Sequence, residues 1–157
     1  MNALKDKDIQ ISSAMQTKSL IQDLHQIIEQ ARNNVAGTAN YALTMMYWHI
    51  GERINRDVLG NQRAEYGKQI VSQVATQLQS EYGKKGFEIR NIRRMMQFAS
   101  LFPHEQIVSQ LAAQLTWSHF IETLPIKDDI ARDFYITMAA SERWGRDKLR
   151  KEIDGML

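Results

Sequence analysis

The sequence contains no cysteine, which excludes a disulfide framework, a thiolate metal centre and a cysteine nucleophile. Proline is nearly absent, with 2 residues, and glycine is sparse, with 8 in 157. Turn-rich β architectures need more of both. No apolar run approaches the ~18 residues that a membrane span requires, and the start, Met1 to Ser12, lacks the apolar stretch of a secretory leader. HExxH, GxSxG and glycine-rich phosphate-loop patterns are missing too. The four histidines, His25, His49, His104 and His119, have no helical neighbour at metal-ligand spacing, so they read as surface or internally satisfied side chains. Asp128-Asp129 and Glu152/Asp154 read as ordinary helix-start and surface acids. These absences leave no catalytic or cofactor candidate, and they suit a cytoplasmic, non-membrane protein.

What remains is helix. Residues 1–12 are polar and aperiodic and are expected to form a flexible lead, with a single helical domain over 13–157. From Ser13 the 3.6-residue period sets in with Leu20, Leu24, Ile27, Ile28 and Ala31. Asn33 to Thr38 reads as the first break, and Leu59 to Ala64 as a loop turning at Gly60 and Asn61. Helices are predicted over Ala39–Val58, Glu65–Tyr82, Phe87–Leu101, Glu105–Leu115, Trp117–Leu124, Asp128–Arg143 and Arg146–Asp154. Gly83-Lys84-Lys85-Gly86 ends the third, because glycine accepts the left-handed conformation of a helix C-terminus. The expected fold class is therefore all-α, a compact multi-helix domain.

Net charge is only +2, but it is unevenly spread. Between Lys84 and Arg94 lie five cations, Lys84, Lys85, Arg90, Arg93 and Arg94, and one acid, Glu88, giving a local +4. On a helix, Ile89, Ile92, Met96 and Ala99 make an apolar stripe, widened by Met95, Phe98 and Phe102. Arg90, Arg94 and Gln97 share the opposite face, with Arg93 beside them. Arg90 and Arg94, four apart, repel by about 0.2–0.5 kcal/mol. Their clustering is relieved by an anion, by acids from another helix, or by solvent. Arginine forks suit phosphates, and asparagine or glutamine amides suit base edges. Asn91 could equally turn inward and bond the turn. The third helix, the glycine turn and this basic helix give a helix-turn-helix-like outline. A second outline, Leu111 to Leu124, turns at Thr116-Trp117, with Ser118 as a possible cap. Its later helix carries no cation, and Trp117 reads as a core or interface aromatic.

Five blocks carry a resemblance. Tyr47-Trp48-His49-Ile50-Gly51-Glu52-Arg53-Ile54 resembles the YWEIGKRI block of the bacterial YhcG family, and Tyr66-Gly67-Lys68-Gln69-Ile70 its YGKKVI block. Gly86-Phe87 with Arg90 through Phe98 resembles GFSxRNLRxMRxF. Gln114-Leu115-Thr116-Trp117-Ser118-His119 resembles QLPWSH, and Phe134-Tyr135 with Trp144-Gly145-Arg146 resembles the closing FY…WSxR block. The blocks run in order over roughly residues 20–154. The resemblance implies the amino-terminal helical domain of that family, whose members carry a PD-(D/E)XK nuclease domain after it. No acid-x-Lys triplet with a Pro-Asp partner is found here, so the chain itself is expected not to be an enzyme. Two positions depart from the family blocks: Glu88 stands in place of a helix-capping serine, and Thr116 in place of a proline.

The functional expectation is a DNA-binding or targeting module. Lys84, Lys85, Arg90, Arg93 and Arg94 would hold phosphates, and Asn91 and Gln97 would reach base edges. The alternative is a protein-interaction or dimerisation module, with a homo-oligomer or protein partner, built on Tyr47/Trp48, Met95/Met96 and Trp117/Phe120. Trp48 and Trp117 are its marker residues. Neither reading calls for a metal or cofactor.

Overall fold

A computed structural model describes residues 2–33, 39–60 and 64–156. Eight α-helices occur among them and no strand: α1 (Asn2–Asn33), α2 (Ala39–Gly60), α3 (Ala64–Tyr82), α4 (Ile89–Leu101), α5 (Glu105–Ala112), α6 (Trp117–Thr123), α7 (Asp129–Ser141) and α8 (Arg146–Gly155). The domain is all-α. Among the described residues no helix is long and apolar enough to cross a membrane. The break expected at Asn33 to Thr38 and the Asn61 end of the Gly60 turn lie mostly outside the described residues. The backbone of residues 2–12, expected as a flexible lead, is helical and continuous with α1. That segment lacks an apolar period, but it contains good helix formers such as Leu4, Lys5, Lys7 and Gln10, and no proline or glycine opposes them.

Two apolar clusters fill the interior. The first joins Leu20, Leu24 and Ile28 of α1, Ile50 and Ile54 of α2, Ile70, Val74 and Leu78 of α3, and Ile92 and Met95 of α4. The second joins Trp48 of α2 to Phe98 and Phe102 at the end of α4, then to Val108, Phe120, Ile136 and Leu149 of the later helices. Helices α2 and α4 contribute to both clusters and form the most extensive helix pair. Gly51 sits at their crossing. A Cβ built there would lie 1.9 Å from the Met95 carbonyl oxygen, so the two backbones touch where a side chain would otherwise stand. Asn55, four residues on, donates from Nδ2 to the Met96 carbonyl at 2.8 Å and fixes the register of the crossing.

Helix ends follow local chemistry. Phe102 precedes Pro103, whose ring disfavours helical geometry in the residue before it. Accordingly Phe102 leaves the helix at φ −120°, ψ 74° while its N–H still bonds the Phe98 carbonyl at 2.9 Å. Asp128 caps α7 by accepting from the Ile130 N–H at 3.0 Å. The cap of α6 is Thr116, not Ser118, because the chain is still extended at Thr116 and already helical at Trp117. His119, three residues into the turn, accepts the Thr116 N–H on Nδ1 at 3.0 Å. Its Nε2 donates to the Trp144 carbonyl at 2.9 Å, which anchors α6 to the α7–α8 junction.

Buried charge appears where periodicity gives no hint of it. Asp57, 6% exposed, accepts from the Tyr66 hydroxyl and lies 3.6 Å from the Arg53 guanidinium, which also holds Asp23 at 2.6 Å. Burial, and donation to that carboxylate, push the Tyr66 phenol well above its ordinary range. Arg132, 2% exposed, donates from Nη1 to the Ile126 carbonyl at 2.6 Å and pairs with Asp129. These contacts tie α1, α2 and α3 together at one end and brace the start of α7 at the other.

Candidate nucleic-acid interface

The basic segment begins in the turn between α3 and α4. Gly83, at φ +93°, closes α3 through its N–H to the Gln79 carbonyl at 3.0 Å. Gly86, at φ +88°, reverses the chain so that the Phe87 ring is buried while Lys84 and Lys85 stay exposed. Gln79 Nε2 then bonds the Phe87 carbonyl at 2.9 Å. The two glycines differ in what surrounds them. A Cβ at Gly86 would meet the Tyr47 hydroxyl at 2.6 Å, whereas one at Gly83 would meet nothing within 4 Å. Gly83→Ala is therefore expected to cost about 1 kcal/mol, for the left-handed backbone alone. Gly86→Ala should cost about 3 kcal/mol, because the buried tyrosine must also move. Thermal unfolding of the two variants compares them directly, and equal shifts in Tm would refute the packing role of Gly86.

Along α4 the buried arc is Ile92, Met95, Phe98 and Ala99. Ile89, expected in the stripe, is 39% exposed, and Met96 is half-buried. The stripe is rotated because α2, α3 and α6 all pack on this helix, so burial follows three neighbours rather than one. The outward face accordingly centres on Arg90, Arg93 and Gln97, with Arg94 half-buried at its flank. Glu88 occupies the N-cap with no side-chain cap bond, and its carboxylate is exposed.

Pairing separates these cations from most other arginines of the domain. Arg32, Arg53, Arg56, Arg132 and Arg146 each hold a carboxylate. Among the described residues no carboxylate lies within 4 Å of Lys84, Lys85, Arg90, Arg93 or Arg94. Among the described residues, five like charges are thus gathered on one turn and one helix face without an ion-pair partner, with Glu88 the one acid of the segment.

The amides nearby are differently employed. Asn91 donates from Nδ2 to the Gly86 carbonyl at 2.7 Å and accepts the Trp117 indole N–H on Oδ1 at 3.2 Å. It also faces Tyr47, whose phenol is raised by burial, an effect partly offset by its hydrogen bond with Asn91. The Tyr47 and Trp117 rings lie 5.0 Å apart. One side chain thereby joins the turn, α2, α4 and α6. Gln97 is exposed, and its Nε2 reaches the Leu124 carbonyl at 3.3 Å. Trp48 is 5% exposed and donates to the Phe102 carbonyl at 2.8 Å, so its indole packs inside the chain. Trp117 is half-buried and packs against both apolar clusters. A surface cleft of about 600 Å³ lies away from this face, between the end of α4, α5 and α7. Among the described residues no group of three His, Asp or Glu side chains could hold a metal ion.

Fold and surface together define an all-α domain with a basic face on a helix shared by both halves of its core. Residues 23–157 match the model of the DUF1016 N-terminal domain, and the chain belongs to that family. It is 26% identical, over an alignment of 157 residues, to a protein of Escherichia coli (strain K12) named "Putative nuclease YhcG". That alignment covers 81% of this chain and 42% of the relative, so the chain spans less than half the relative's length. No solved structure matches the chain.

Proposed function

We propose that this domain is a DNA-binding module of a nuclease-related protein, holding the phosphate backbone against the α3–α4 turn and the outer face of α4. The observation that carries this reading is the gathering of Lys84, Lys85, Arg90, Arg93 and Arg94 on one turn and one helix face with, among the described residues, no carboxylate within 4 Å of any of them. Solvated phosphate is the anion whose spacing and charge such a row suits. The α3–turn–α4 unit acts as a helix-turn-helix-like element in this reading, and the domain holds nucleic acid without cutting it. Glu88 repels phosphate at the N-terminus of α4, so the strand lies along Arg90 and Arg93 rather than across the helix tip.

The test is a titration of labelled duplex DNA at several salt concentrations. Arg90→Ala combined with Arg93→Ala should weaken binding and reduce the slope of log affinity against log salt by about 0.7–0.9 per lost contact. Both side chains are exposed, so Tm should hardly change. A wild-type domain that binds no DNA form at low salt would overturn the reading. So would a double variant with an unchanged slope.

A further inference from the structure

Resting on that reading, we infer that the site recognises duplex DNA through its backbone alone and does not read base sequence. The argument lies in what the neutral side chains of this surface already do. Reading adenine in the major groove takes an Asn or Gln whose amide is free to donate and accept together. Asn91 has both functions occupied, its Nδ2 on the Gly86 carbonyl and its Oδ1 on the Trp117 indole. Turning it outward would leave the Trp117 N–H and the Gly86 carbonyl without these partners, at the junction of the turn, α4 and α6. Asn91 is therefore a positioning residue, which sets where the turn carries Lys84 and Lys85 relative to the arginines. Gln97 keeps its exposed place, but its donor is directed to the end of α6 through the Leu124 carbonyl.

The charged groups agree with this division. Lys84 and Lys85 stand on a turn, where a point charge on a flexible stem suits phosphate better than a base edge. Arg90 and Arg93 are three apart on one helix face, where neighbouring side chains leave the helix about 5–6 Å from one another. That is close to the separation of successive phosphates along a strand. Arg94 is half-buried at the flank of the face, which limits its reach into a groove. The surface thus offers charge in a row, with the Asn91 amide committed inward and the Gln97 donor turned to the end of α6.

The experiment is a competition assay at one low salt concentration. A labelled 20-base-pair duplex of mixed sequence is displaced by unlabelled duplexes of equal length that are AT-rich, GC-rich or scrambled. Affinities within about threefold of each other are expected. One bidentate base contact would instead separate them by roughly 5- to 150-fold. A preference of tenfold or more that Gln97→Ala or Arg90→Ala abolishes would overturn the inference while leaving DNA binding intact. Absence of binding to every duplex would overturn the DNA reading itself, and this inference with it.

Asn91→Ala supplies a second readout. A positioning role lowers Tm and leaves the ratio between duplexes unchanged, whereas base reading leaves Tm unchanged and alters the ratio. Should that variant not fold, Gln97→Ala, at an exposed position, still decides the matter through the ratio alone.

Discussion

Gly51→Ala is expected to lower stability by about 3 kcal/mol or more, because the added methyl meets another helix's backbone. Overpacking a core typically costs 1–3 kcal/mol when side chains can shift. Here the obstacle is backbone: the new Cβ would stand 1.9 Å from the Met95 carbonyl oxygen and 2.4 Å from its carbon. No rotamer change relieves that contact, so α2 and α4 must separate. Separation would also stretch the Asn55 bond to Met96 and loosen both apolar clusters, since each includes residues of both helices. For a domain of this size 1 kcal/mol shifts Tm by roughly 2–4 °C, so a fall of about 6–12 °C should appear in calorimetry. A fall under 2 °C would refute the close crossing.

Phe98→Ala should be comparably severe, at about 3–5 kcal/mol. Its ring is fully buried and lies 4.7 Å from Phe120, 5.1 Å from Trp117 and 5.6 Å from Phe102, centroid to centroid. Truncation removes the hub of an aromatic cluster whose other members come from the C-terminal exit of α4 and from α6. Urea titration followed by tryptophan fluorescence tests this, because Trp117 reports on the same cluster. A loss below about 1.5 kcal/mol would mean that the neighbours collapse into the space and that the ring is not central to the packing. Both substitutions act on the helix that carries Arg90 and Arg93, so under the proposed function DNA affinity should fall with stability even though neither residue faces solvent.

The order and extent of the helices were legible because breakers are few and well placed. The expected helix over Trp117–Leu124 is observed as Trp117–Thr123, and that over Arg146–Asp154 as Arg146–Gly155. The turn at Gly83–Gly86 was legible for the same reason, as two of the eight glycines stand three residues apart. The angular position of the buried arc on α4 was not. A one-dimensional period assumes one covering neighbour, and α4 has three. The inward turn of Asn91 was visible only as an alternative, since an amide's choice between a base edge and a backbone carbonyl depends on where Trp117, twenty-six residues away in sequence, comes to rest. Gly51 gave no local signal either: in sequence it is a helix-weakening residue within a helical run. Its reason for being there lies on another helix. Buried Asp57 and Arg132 escaped because charge reads as surface until a partner is placed beside it.

The helix that carries the arginines is clamped from both sides, by one apolar cluster along its first half and by the other along its second. Nucleic-acid surfaces built on loops or tails must give up backbone freedom when they bind, at roughly 1–2 kcal/mol for each residue ordered. On the proposed reading Arg90, Arg93 and Arg94 would surrender only side-chain rotamers, because their backbone is fixed when the domain folds. The arrangement is a rigid comb whose tooth spacing is set by helix geometry and whose handle is the core, with the protein's own folding free energy supplying the order that a partner would otherwise have to impose.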